Sequence, residues 1–122
     1  MTAPALSCTR GDSPAWTLTL AQDATGWAPR WTCKPMAGWA DLPDTAASIA
    51  CTVGSGLTVT QSSPGIIVLS LTAAQTGALT PGVYAWDLQM TSGSSVETVE
   101  WDAQGTTVGT LTVSADVTRT TP

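Results

Sequence analysis

Apolar and polar residues trade places at every second position through this chain, in short runs of about 4–8 residues cut apart by turn-forming clusters. A period of two is the signature of a strand with one face buried, so this pattern restricts the fold more than any other feature. Between Ala15 and Ala21 it sets Trp16, Leu18 and Leu20 on one face and Thr17 and Thr19 on the other. From Val83 to Met90 it gathers Tyr84, Trp86, Leu88 and Met90, and from Ile66 to Leu71 it gathers Ile67, Leu69 and Leu71. Thr107 to Ala115 turns Leu111 and Val113 inward.

Other segments are read with the same rule. Ile49, Cys51 and Val53 alternate, and Gly54-Ser55-Gly56 leads into Leu57 to Thr60, a pair that reads as a hairpin with a Gly-rich loop. Trp27 to Met36 is a less regular strand, which Pro29 and Pro35 place near an edge or around a bulge. Val96 to Trp101 is a further strand. Asp23 to Gly26, Ser62 to Gly65, Thr91 to Ser94 and Asp102 to Gly105 read as turns, and Ala37 to Asp44 as a loop that carries Trp39. The one helical turn expected is Thr72 to Gly77, with Thr72 as its N-cap.

About seven to nine short strands without helical crossovers predict an all-β sandwich or barrel, with the antiparallel sandwich favoured and Trp16 and Trp86 in its core. Residues 1–115 are expected to form one domain, followed by a polar, Thr-rich tail at 116–122. Hydrophobic residues are 43% of the chain and charged residues 11%, a balance that supports a packed core and not disorder. Aromatic burial falls almost wholly to Trp, with six Trp, one Tyr and no Phe.

Charge excludes some partners. The net charge is −5, and Arg10, Arg30, Lys34 and Arg119 are scattered, so neither a phosphate backbone nor an anionic membrane finds its basic patch. No apolar run reaches membrane-spanning length, and the start at Met1 lacks the regions of a signal peptide. Cys8, Cys33 and Cys51 lack metal-like spacing and read as apolar thiols, with a Cys33–Cys51 bridge as the alternative if their strands are neighbours.

Reactive constellations are scarce. With no His in the chain, neither a Ser-His-Asp nor a Cys-His arrangement can be built. Glu100 and Asp102 would share a strand face as a carboxylate pair, but such pairs are usually solvated edges; Asp41, Asp44 and Asp102 match no calcium loop. No enzyme activity, cofactor or metal is expected. Arg10-Gly11-Asp12 spells a tripeptide that some integrins recognise, and it also suits a turn before the first long strand. Trp27 and Trp39 fall in or beside loops, where an indole either anchors an interface or folds back over an open end of the sandwich.

Two resemblances add to this reading. Leu79-Thr80-Pro81-Gly82-Val83-Tyr84 resembles the tyrosine corner of immunoglobulin-like sandwiches, in which Tyr84 would bond its hydroxyl to backbone just upstream of a turn made by Pro81 and Gly82. A longer pattern joins Arg10-Gly11-Asp12, Leu71 to Thr76, Leu79, Pro81 to Gln89, Val96 to Val99 and Val113 to Arg119. It is similar to a group of small bacteriophage virion proteins, among them the N-terminal immunoglobulin-like module of upper baseplate proteins and small head and tail decoration proteins. The chain departs from that pattern at Glu100 to Gly105, where the family usually has a Gly soon after the Thr-Val step. The resemblance implies an immunoglobulin-like fold and a non-enzymatic structural role in the virion, as a capsid decoration, neck, tail or baseplate subunit made in the host cytoplasm. Its partners would be other virion proteins, in a homo-oligomer or bound to a lattice. Arg10, Asp12, Trp27 and Trp39 are the candidate interface residues. The alternative is a carbohydrate-binding or adhesion module that stacks sugars on Trp27 and Trp39.

Overall fold

The inward-facing residues of the alternating runs meet in a single buried cluster. The computed structural model describes residues 4–43, 46–101 and 104–116. Within them nine strands form: β1 (Ala5–Thr9), β2 (Ala15–Thr19), β3 (Ala28–Pro35), β4 (Ile49–Val53), β5 (Gly56–Gln61), β6 (Ile66–Ser70), β7 (Gly82–Ser92), β8 (Ser95–Thr98) and β9 (Gly109–Ser114). A 3₁₀ turn at Trp39–Asp41 and the short helix α1 (Ala73–Gly77) accompany the strands. The protein is all-β, as the alternation predicts.

Hydrogen bonding runs through the sheet in the order β1-β9-β7-β3-β4-β5-β6-β2, with β8 paired to β7. The sheet curls so far that it is nearly a barrel, but β1 and β2, the two ends of the path, do not pair. It is mixed, not purely antiparallel, because β1–β9 and β4–β5 run parallel.

The second of those pairs corrects the expected hairpin. Thr52 and Ser55 close a tight turn, Thr52 N–H on Ser55 O at 3.1 Å and Ser55 N–H on Thr52 O at 2.9 Å. Beyond it Thr52 lies opposite Gly56 and Val53 opposite Leu57 in parallel register, so no antiparallel hairpin continues. Gly56 permits the corner: its φ is +99°, and a Cβ there would stand 2.7 Å from Cys51 Sγ. Val53, third in the alternating run and last in β4, is exposed where the chain enters the bend.

A second correction concerns β3. It is a central strand, flanked by β7 over Ala28–Pro35 and by β4 only over Arg30–Cys33. Pro29 and Pro35 lie outside the β4-paired stretch, so their missing N–H groups cost no hydrogen bond on that side. β1 goes beyond the sequence reading. Leu6 is buried and Cys8 half-buried, too short an alternation to stand out from its surroundings.

The core is denser in aromatics on one side. Trp31, Tyr84, Trp86 and Trp101 are all buried. Trp86 lies 6.2 Å from Trp31 in a tilted pair and 5.6 Å from Trp101 edge-on, a geometry that suits the ring quadrupoles. Its indole N–H donates to Thr110 O at 3.0 Å, and Gly109 passes so close beneath the ring that a Cβ there would fall 2.4 Å from Cε2. Trp16, placed in the core by sequence, is half-buried and packs against it from β2.

α1 is capped as its sequence predicts. Gln75 N–H donates to Thr72 Oγ1 at 3.1 Å, and Thr72 N–H donates to Gln75 Oε1 at 2.9 Å, a reciprocal capping box. The helix exists to deliver Thr76, whose side chain is wholly buried.

Candidate functional site

β3 and β7 pair so that Thr32 faces Asp87 and Lys34 faces Ala85 on the outer side of the sheet. Lys34 Nζ donates to Leu42 O at 2.8 Å, which draws the β3–β4 loop over this surface. The loop brings Trp39, and with Gln89 and Val108 these groups surround a shallow depression. Trp39 is 37% exposed, the only Trp among the large apolar side chains that stand out to solvent in the described residues. The depression holds about 70 Å³, far below the ~300–1,000 Å³ of small-molecule sites. An indole beside a shallow polar hollow suits contact with another surface better than capture of a small ligand.

Trp27 behaves differently. Its backbone N–H bonds Ala24 O at 3.0 Å in the turn after β2, and its ring is half-buried against the core. The two loop indoles thus divide between the alternatives left open by the sequence, Trp27 covering the core and Trp39 facing out.

Arg10 and Asp12 belong to a turn that is tied down. Arg10 Nε donates to Leu79 O at 3.0 Å, and its guanidinium lies 3.7 Å from the carboxylate of Asp116. Gly11 N–H donates to Thr76 Oγ1 at 3.0 Å, and the Thr76 hydroxyl donates to Asp12 O at 2.6 Å. Asp12 N–H bonds Thr9 O at 3.1 Å while its side chain stays exposed. The guanidinium therefore serves the fold, and only the Asp12 carboxylate is presented. Asp116, the first residue of the expected tail, is held in the same knot; residues 117–122 lie outside the described residues.

Tyr84 donates its hydroxyl to Thr80 O at 2.6 Å, four residues upstream across Pro81 and Gly82. That is the bond a tyrosine corner requires. Leu79 is buried beside it and bonds Thr76 O, while Pro81 and Gly82 are exposed. Burial pushes the Tyr84 phenol above its ordinary value, against the opposing pull of the Thr80 bond.

The reactive constellations considered from sequence fall only partly within the described residues. Glu100 lies past the end of β8 and is exposed, so it does not present a carboxylate from a strand face; Asp102 lies outside the described residues. Of the calcium candidates Asp41 is exposed, and Asp44 and Asp102 lie outside the described residues. No group of metal-type ligands occurs among the described residues. Cys33 and Cys51 sit on adjacent strands, wholly buried, and both are free thiols, so the bridge is absent. Burial pushes Cys33 up to about 12 and Cys51 to about 11, which keeps both neutral and unreactive at ordinary pH.

Sequence reasoning passed over Lys34, Asp87 and Gln89 as parts of a surface, and Thr76 as a hub. A lone Lys on a strand among neutral residues was the available signal for the first; nothing local marks Thr76 as a hub, because the Gly11 and Asp12 groups it ties together are more than sixty positions away. Comparison with protein-family models and with curated proteins returns no match.

Proposed function

We propose that this chain is a non-enzymatic assembly subunit, a structural protein of a bacteriophage virion that works by binding other virion proteins. The observation that carries the reading is Trp39, held out to solvent by the Lys34–Leu42 bond on a face with no enclosed pocket. Indoles in such positions supply large contact area with few rotamers to freeze, and so anchor protein interfaces. The dispersed segments similar to virion proteins give the object, and the use of Arg10, Thr76 and Tyr84 to hold the fold gives the non-catalytic character.

The same proposal includes the immunoglobulin-like sandwich. In this reading β2–β6–β5 is one layer, β1–β9–β7–β3–β4 is the other, and the two-residue β4–β5 contact is a corner between them. The Tyr84–Thr80 bond at the start of β7 supports it.

Quantitative mass spectrometry of purified particles, scaled to the major capsid protein, tests the function. Incorporation that falls at least tenfold with Trp39→Ala, while the isolated variant keeps its fold, is the expected outcome. Absence from particles would remove the virion reading and turn attention to sugars. A glycan array then decides for or against the carbohydrate-binding alternative, in which Trp39 would act alone because Trp27 is committed to the core.

A further inference from the structure

The two outer faces of the curled sheet differ in charge. Side chains turned outward from β2, β6 and β5 are Ala15, Thr17 and Thr19, then Ile66, Val68 and Ser70, then Thr58 and Thr60, without one ionisable group. β2 is also an end of the hydrogen-bonded path, paired only with β6. Leu71 N–H bonds Pro14 O and Leu20 N–H bonds Gly65 O, so the even-numbered positions of this segment turn their backbone groups toward β6. By alternation Ala15, Thr17 and Thr19 turn theirs to the open side.

Natural proteins defend such an edge with Lys, Pro, a bulge or a cover. Between Ala15 and Thr19 none of the first three occurs, and all three outward residues are exposed. The free edges at β8 and β1 are blunted. β8 is four residues long and carries Glu97, and β1 is closed at its end by the Asp12 N–H on Thr9 O.

We infer that β2 is a self-association edge, at which two copies of this chain pair antiparallel about Thr17 and continue β5–β6–β2 into a six-stranded sheet. The register accommodates a second copy as the occupant, and the uncharged face favours it. With the two-fold axis at Thr17, the open backbone groups of Ala15, Thr17 and Thr19 meet those of Thr19, Thr17 and Ala15 of the second copy, and every outward donor finds an acceptor. Thr17 then stands beside its own counterpart, a favourable cross-strand pair. Charge makes the same choice: two chains of net charge −5 repel, and this face lets them meet without opposing carboxylates. The row Thr58, Val68, Thr17 continues across the axis in reverse order.

This inference goes beyond the assembly reading and does not rest on it, since the dimer is expected of the isolated chain. Sedimentation velocity over a roughly hundred-fold range of concentration is the test. The expected result is a monomer that becomes a dimer with concentration, and a dissociation constant raised at least tenfold by Thr17→Lys. Thr17→Pro, which removes an outward N–H and leaves the β6 ladder intact, should abolish the dimer; unchanged far-ultraviolet circular dichroism of both variants certifies the fold. A wild-type chain that stays monomeric throughout, or a dimer indifferent to both substitutions, overturns the inference. So does a monomer that gains mass only when a different protein is added. None of these results bears on incorporation into particles.

Discussion

The β1–β9–β7–β3–β4 side and the β5–β6–β2 side of the sheet share one core but are built from different chemistry. The first supplies Trp31, Tyr84 and Trp86 to the interior and carries Arg30, Lys34 and Asp87 outside. The second supplies Leu18, Leu57, Ile67 and Leu69, and its outer face is uncharged. On the aromatic side positions are fixed by directed contacts: the Trp86 N–H on Thr110, the Tyr84 hydroxyl on Thr80, the edge-on meeting of Trp86 and Trp101. The aliphatic side is held by area and shape, which are tolerant of small changes. The contrast separates, within a chain of few charges, a part whose geometry is set by directed contacts from a part whose outer face carries no charge.

Substitutions can break or sharpen that division, and the largest effect belongs to the aromatic side. Trp86→Ala is expected to cost about 3–5 kcal/mol, because the cavity cannot collapse between Trp31 and Trp101, whereas Ile67→Val on the aliphatic side should cost about 0.5–1.5 kcal/mol. Urea unfolding measures both, and equal costs would erase the distinction. Next comes Tyr84→Phe, which leaves the Thr80 carbonyl without its phenol and should lower stability by about 0.5–1.5 kcal/mol. A calorimetric scan that places the variant at the wild-type midpoint would mean the bond adds nothing.

The smallest effect near neutrality is the pH dependence from the thiols. Cys33 and Cys51 are raised from 9.0 to about 12 and about 11 by burial. Their folded-state values lie above the unfolded one, so this contribution is fully present below pH 9 and is lost as pH rises toward 11 and 12. Urea midpoints should therefore show no thiol-dependent slope from pH 7 to 9 and a decline above it, shallower in Cys33→Ala. A steeper decline in that variant would contradict the assignment.

Much of the all-β character was legible in residues two apart. Tyr84, Trp86, Leu88 and Met90 share one buried face, and so do Ile67, Leu69 and Leu71, because solvent sorts such strands locally. The Thr72–Gln75 cap was legible for the same reason, its partners being three residues apart. What escaped depends on distant chain. Whether Gly54-Ser55-Gly56 makes a hairpin or a corner is decided by where β6 offers an edge, and β3 became central despite its prolines because its partner β4 is short. The site was legible in part: Trp39 was named as a loop indole, but the Lys34 bond that holds its loop joins side chain to backbone across a turn and leaves no periodic trace.

The parallel pairing of β1 with β9 has a mechanical consequence. Ala5 lies opposite Thr110 and Thr9 opposite Ser114, so the chain enters this pair at one pole and leaves it at the other. Tension applied between Ala5 and Ser114 drags the two strands past each other along their length. All five residue pairs then resist together in shear, where an antiparallel pair gripped at one end would unzip a bond at a time. Built into a train of linked subunits, such a domain would transmit force along its strands and yield late.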